Sequence, residues 1–96
     1  LRNLIQDTYS ERFEIINEKG LHARAAAKLV ETVERYDATA EIFKDGLQAC
    51  GNSIMGLLML AASRGTFIDV NTNGNQAKDL SEAIGVLIAA RFGEDF

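Results

Sequence analysis

Proline is absent from the chain, so slow isomerisation at X-Pro bonds cannot limit its folding and no proline-rich linker divides it. There is one cysteine, Cys50, which excludes an internal disulfide and any multi-cysteine metal site and points to a reducing, cytoplasmic setting. Cys50 falls in a strand-like stretch with no second histidine to serve as its base, so it reads as a small, semi-buried side chain rather than a nucleophile. Long apolar runs are also missing. The longest, Ile54 to Ala62, is interrupted by Gly56 and is too short to cross a bilayer, and the start of the chain lacks the apolar region of a secretory leader. Positive charge is scarce: 10 basic against 14 acidic side chains give a formal net charge of -4, which argues against a general nucleic-acid binder.

What is present suits one ordinary domain: 96 residues, 47% of them hydrophobic, can build a single core but not two. The chain starts at Leu1 rather than methionine, and residues 1–9 are expected to form an N-terminal extension or a foreign remnant, with 10–96 the domain proper. Glu11 to Asn17 is β-favouring and ends at Lys19-Gly20. From Ala23 to Tyr36, Ala26, Leu29, Val30 and Val33 recur with helical spacing, while Lys28, Glu31, Glu34 and Arg35 take the opposite face. Ala40 and Ile42, then Leu47 and Ala49, flank Asp45-Gly46, a dipeptide suited to a type I′ hairpin turn. Asn52 and Ser53 offer capping oxygens ahead of a second helix, expected from Ile54 to Ala62 and ending near Gly65. A strand over Thr66 to Asn71 closes at Asn73-Gly74, and a last helix runs from about Gln76 to Ala90. The order βαββαβα predicts an α+β fold: an open antiparallel sheet with helices packed on one face.

The only histidine, His22, stands in Gly20-Leu21-His22-Ala23-Arg24, where a glycine-bearing turn opens the first helix. The first amides of a helix lack intrahelical partners and its dipole favours anions, so a phosphoryl group carried there would meet donors, with Arg24 as a cation for its oxygens. A neutral imidazole near pH 7 is also a competent nucleophile. On spacing alone, His22 reads more readily as a surface residue at a weak N-cap, and Ser53 as a plain N-cap. The second helix is apolar nearly all round; Ile54, Met55 and Leu58 share a face that is either core or a partner surface.

Two motifs at compatible spacing, Gly20-Leu21-His22-Ala23-Arg24 and Asn52-Ser53-Ile54-Met55-Gly56-Leu57, resemble those of the HPr family, the histidine-containing phosphocarriers of the bacterial phosphoenolpyruvate:sugar phosphotransferase system. The resemblance runs from about Ser10 to Ala90. It implies an HPr-like open-faced sandwich, with a four-stranded antiparallel sheet covered on one face by three helices. It also implies His22 as phosphoryl acceptor from enzyme I and donor to enzyme II A components, with Arg24 stabilising the phosphate. Ser53 becomes the regulatory site of an HPr kinase/phosphorylase, and Ile54, Met55 and Leu58 the docking face. No metal or cofactor is implied, and a small monomer would serve several partners most simply. Many relatives carry proline where this chain has Ala25, a first-turn position at which alanine preserves the helix.

Three readings compete: a phosphocarrier that relays rather than turns over a substrate, a regulatory relative signalling through phosphorylation without sugar transport, and an anion-binding module without covalent transfer. A hydrolase is disfavoured, since one histidine and no evident acid-base partner leave too few groups for turnover.

Overall fold

The computed structural model describes residues 8–96. Strand β1 (Thr8–Glu14) leads to helix α1 (Ala23–Glu34), the hairpin β2 (Thr39–Lys44) and β3 (Leu47–Cys50), helix α2 (Ile54–Met59), strand β4 (Phe67–Asn73) and helix α3 (Ala77–Ala89), followed by a 3-10 turn over Arg91–Gly93. The four strands form one antiparallel sheet in the order β1-β4-β2-β3. This is the expected open-faced sandwich.

Alternation sets the two faces of the sheet. Along β4, Ile68, Val70 and Thr72 are buried, while Phe67 and Asn73 are exposed. The inward residues meet Ala26, Leu29 and Val33 of α1, Leu57 of α2, and Leu80, Ile84 and Ile88 of α3 in one core. Each fully buried Leu or Ile contributes about 1.5–3 kcal/mol by leaving water, so this shared layer is what holds helices to sheet. The open face is mostly polar, with Phe67 among its exposed side chains. There the Arg12 guanidinium pairs with Asp69, its register partner, through Nε to Oδ1 at 2.9 Å and a second nitrogen to Oδ2 at 3.1 Å. That hydrogen bond and charge hold the Asp69 carboxyl below its ordinary range.

The hairpin forms as expected, with Asp45 and Gly46 at φ 50° and 83°. Other boundaries move. β1 begins at Thr8, two residues before the expected start of the domain, because Thr8 and Tyr9 pair with Asn73 and Thr72; the remainder of the expected extension lies outside the described residues. Helix α2 stops at Met59 rather than Ala62, since Leu60 caps it and Ala61 turns to φ 52°, a conformation no helix continues through. Cys50 is exposed, not semi-buried: Ala49 takes the inward position of β3 and the period of two turns Cys50 outward. Among the described residues, no helix is long and apolar enough to cross a membrane.

Candidate functional site

The site begins where β1 runs out. After Ile15, whose amide donates to the Thr66 carbonyl at 2.9 Å, the chain turns over Asn17 to Gly20, with the Gly20 amide on the Asn17 carbonyl at 3.1 Å. Gly20 has φ +67° and sits so close to the next segment that a Cβ would lie 2.6 Å from the Ala62 carbonyl oxygen. Only glycine fits there without strain. The Leu21 amide then donates to that same oxygen at 2.8 Å, and Leu21 is buried, which fixes the entry of α1.

His22 is the N-cap residue of α1, in extended conformation, and its side chain caps no amide. Its carbonyl accepts from the Ala26 amide at 2.8 Å, which closes the first turn. The amides of Ala23, Arg24 and Ala25 precede that bond and lack intrahelical acceptors, and no acidic residue stands in the first turn to occupy their positive field. Arg24 is exposed. With Lys19 and Lys28 it lines a cavity of about 320 Å³, whose other walls include Glu18, Glu94 and Asp95. The His22 ring itself, about a quarter exposed at 26%, borders a shallower depression with Lys19, Leu21 and Ala61 to Ser63.

One partner of the imidazole was not foreseen from sequence. Nε2 of His22 contacts Oε2 of Glu94, a residue from the segment after α3. The other Glu94 oxygen accepts from Asn17 Nδ2 at 3.1 Å, and the same nitrogen donates to the Gly20 carbonyl at 2.8 Å. Asn17 is fully buried, so one amide ties the glycine turn to the carboxylate. Burial pushes the Glu94 carboxyl up, but hydrogen bonds from His22 and Asn17, with the charges of His22 and Lys19, outweigh it and hold the group below its ordinary range. Seventy-two positions separate His22 from Glu94, and no local motif signals such a pairing. An asparagine followed three residues later by glycine was the one available hint that Asn17 belongs to a turn.

Ser53 caps α2: its Oγ accepts from the Gly56 amide at 3.0 Å and the hydroxyl is half-buried. Ile54 and Met55 are exposed, Met55 at 73%, whereas Leu58 is half-buried against the core. Met59, also 73% exposed, and Leu47 extend the set of outward apolar side chains, though the spacing argument had not included them. Helices α1 and α2 pack against each other, so the histidine and serine motifs sit on adjoining elements. Among the described residues, no three His, Cys, Asp or Glu side chains gather into a metal-holding group.

The sheet, the helices on one side and the two motifs together are those of a small phosphocarrier domain. Residues 9–90 match the family model described as the phosphotransferase-system HPr component phosphorylation site, and the chain belongs to the HPr family. The phosphocarrier protein HPr of Neisseria meningitidis serogroup A is 40% identical over 84 residues, covering 88% of this chain and 94% of that protein. A phosphocarrier named NPr, from Klebsiella oxytoca, is 39% identical over 89 residues, covering 92% of this chain and 99% of its own. Among solved structures, HPr-C-His from Thermoanaerobacter tengcongensis superposes with a TM-score of 0.87 at 32% identity, over 92% of this chain and 99% of that one.

Proposed function

We propose that His22 accepts a phosphoryl group from phosphorylated enzyme I and passes it to enzyme II A components, with Arg24 and the free first-turn amides of α1 receiving the phosphate oxygens. The observation that carries this reading is the position of the imidazole: it is the N-cap of a twelve-residue helix whose first turn holds no acidic side chain. Charge that arrives on the ring is met by donors already in place, so little reorganisation accompanies transfer. The domain relays the group and turns over no small substrate of its own. It works as a monomer that visits its partners in turn.

In the same reading, Ile54, Met55 and Leu58 form the docking face, with exposed Met55 at its centre. Ser53 is the site at which an HPr kinase/phosphorylase regulates docking. A phosphoserine adds about 1.5 to 2 negative charges beside that apolar face, which opposes any partner that buries it. The hydroxyl would give up its bond to the Gly56 amide, but phosphate oxygens can accept from the same donor. The near-equal match to NPr favours keeping a second reading, in which the carrier signals through phosphorylation without serving sugar transport.

The test is phosphorylation by phosphoenolpyruvate and enzyme I of the unaltered protein and of His22→Ala. Acid-labile labelling that vanishes with His22 is expected. A folded His22→Ala protein that still takes the label overturns the assignment. Transfer onward to enzyme II A separates the transport reading from the signalling one.

A further inference from the structure

Helix α3 departs from the rule for a helix with one face on solvent. After Glu82 it carries no charged residue up to its end at Ala89, and the next charge along the chain is Arg91. Val86 is 69% exposed, and Ala89 and Ala90 are exposed with it, so an apolar surface stands where a polar one is the norm. That surface borders a groove of about 540 Å³ between α3 and α1. To its lining α3 and its end contribute Ala83, Val86, Leu87 and Ala90, and the only charged groups there are Lys28 and Arg35. The two helices run antiparallel: Lys28 Nζ donates to the Phe92 carbonyl at 2.6 Å beyond the end of α3, and at the opposite end the Gln76 amide donates to the Asp37 carbonyl at 3.0 Å. Arg91, Phe92 and Gly93, successive left-handed residues at φ 56°, 54° and 80°, reverse the chain and set the buried Phe92 into the groove lining beside Lys28. Arg35 follows Lys28 by seven residues, about 10 Å along the helix axis. It is exposed and, among the described residues, forms no ion pair, even with Glu31 one turn before it. An otherwise acidic chain thus presents an apolar trough with a cation toward each end and no carboxylate in its lining.

We propose that this groove seats an amphipathic helix of an acidic partner protein, with the apolar face of that helix on Val86, Leu87 and Ala90 and two of its carboxylates, seven positions apart, on Lys28 and Arg35. Spacing and charge select the occupant. A helix returns a side chain to the same edge after seven residues, about 10 Å, which is the interval between the two cations. The single carboxylate of a fatty acid would engage one cation and leave the other idle, and an anionic bilayer would be repelled by the net charge of -4. The groove shares no residue with Ser53, Ile54, Met55 or Leu58, so the partner helix can be held while α2 engages another protein. Nothing in this arrangement depends on what His22 carries.

The test titrates ¹⁵N-labelled protein with a synthetic amphipathic peptide of about five helical turns, bearing two glutamates seven positions apart along one edge of a Leu/Ala face. A second peptide has both glutamates replaced by glutamine, and sodium laurate and anionic phospholipid vesicles serve as the other probes. The glutamate peptide should shift amides of residues 28–36 and 83–93 and spare those of α2. Exposed ion pairs are individually weak, so the glutamine peptide should bind about fivefold less tightly. Arg35→Glu should weaken the glutamate peptide by a similar factor, and a peptide with lysine at the facing position should restore the affinity. Val86→Asp places a charge under the apolar face and should cost about tenfold. Both substitutions fall at exposed positions, so thermal unfolding should be unchanged. Absence of groove shifts with the glutamate peptide overturns the proposal, as does equal affinity for the glutamine peptide or for the folded Val86→Asp protein. Laurate or vesicles shifting these amides where the peptide does not would equally overturn it, in favour of a lipid.

Discussion

Replacing Gly20 by alanine tests whether the turn before α1 is what aims the histidine. The added Cβ would stand 2.6 Å from the Ala62 carbonyl oxygen and 2.9 Å from the Ser63 Cα, both backbone atoms that no side-chain rotation can clear. At φ +67° an alanine also pays about 1–2 kcal/mol for a left-handed conformation. To relieve the clash, the Ala62 to Ser63 segment must draw back from the turn, which stretches the 2.8 Å bond from the Leu21 amide to Ala62 and forfeits about 1 kcal/mol. Alanine stiffens the unfolded chain and so returns about 0.4–1 kcal/mol. The net loss is about 2 kcal/mol, or about 8–16 °C in Tm for a domain of this size. Urea unfolding followed by circular dichroism measures it directly, and amide spectra of Leu21 and His22 report whether the turn has moved. A Gly20→Ala protein within about 0.5 kcal/mol of the original, the range of ordinary surface substitutions, would refute the reasoning.

Two further outcomes follow from the site and its neighbouring face. Because the folded-state pKa of Glu94 lies below its unfolded value, its carboxylate contributes stability that is complete above the ordinary glutamate value of 4.5 and is lost as pH falls through the folded value. A titration of the Glu94 carboxyl carbon by NMR should give a midpoint under 4.5, and a midpoint at or above it contradicts the pairing with His22 and Asn17. Met55→Glu, at a position 73% exposed, should leave stability within about 0.5 kcal/mol while weakening the complex with enzyme I tenfold or more, about 1.4 kcal/mol. Titration calorimetry with unchanged affinity would remove Met55 from the docking face.

The sequence was legible wherever a local rule decided the structure. Asp45-Gly46 supplied two left-handed residues and the hairpin followed; Ala26, Leu29 and Val33 marked the buried face of α1, and Ser53 capped α2 through its hydroxyl. It misled where a rule had no local rival to weigh. The apolar stretch after Ile54 continues past Met59, yet Ala61 turns left-handed and Ala62 is buried beneath the Gly20 turn, a tertiary constraint invisible in the run itself. The site was half legible for the same reason. His22 and Arg24 are two positions apart and share a helix start, but Glu94 and Asn17 join them only through contacts spanning 72 and 77 positions. Nothing near the Glu-Asp pair after Gly93 reveals that Phe92 turns inward.

The reversal over Arg91–Gly93 also bears on when the site comes into being during synthesis. Ribosomes add about 5–20 residues per second, so the 72 positions between His22 and Glu94 correspond to roughly 4–14 s of translation. Throughout that interval a nascent chain carries its imidazole without the carboxylate that pairs with it, and the sheet is incomplete until β4 has emerged to join β1 to β2. Completion of the histidine site thus waits for the segment after α3 to emerge, later than the strands and helices that bury the core. A chain interrupted just before Glu94 would retain every strand and helix of the sandwich and still lack a finished site.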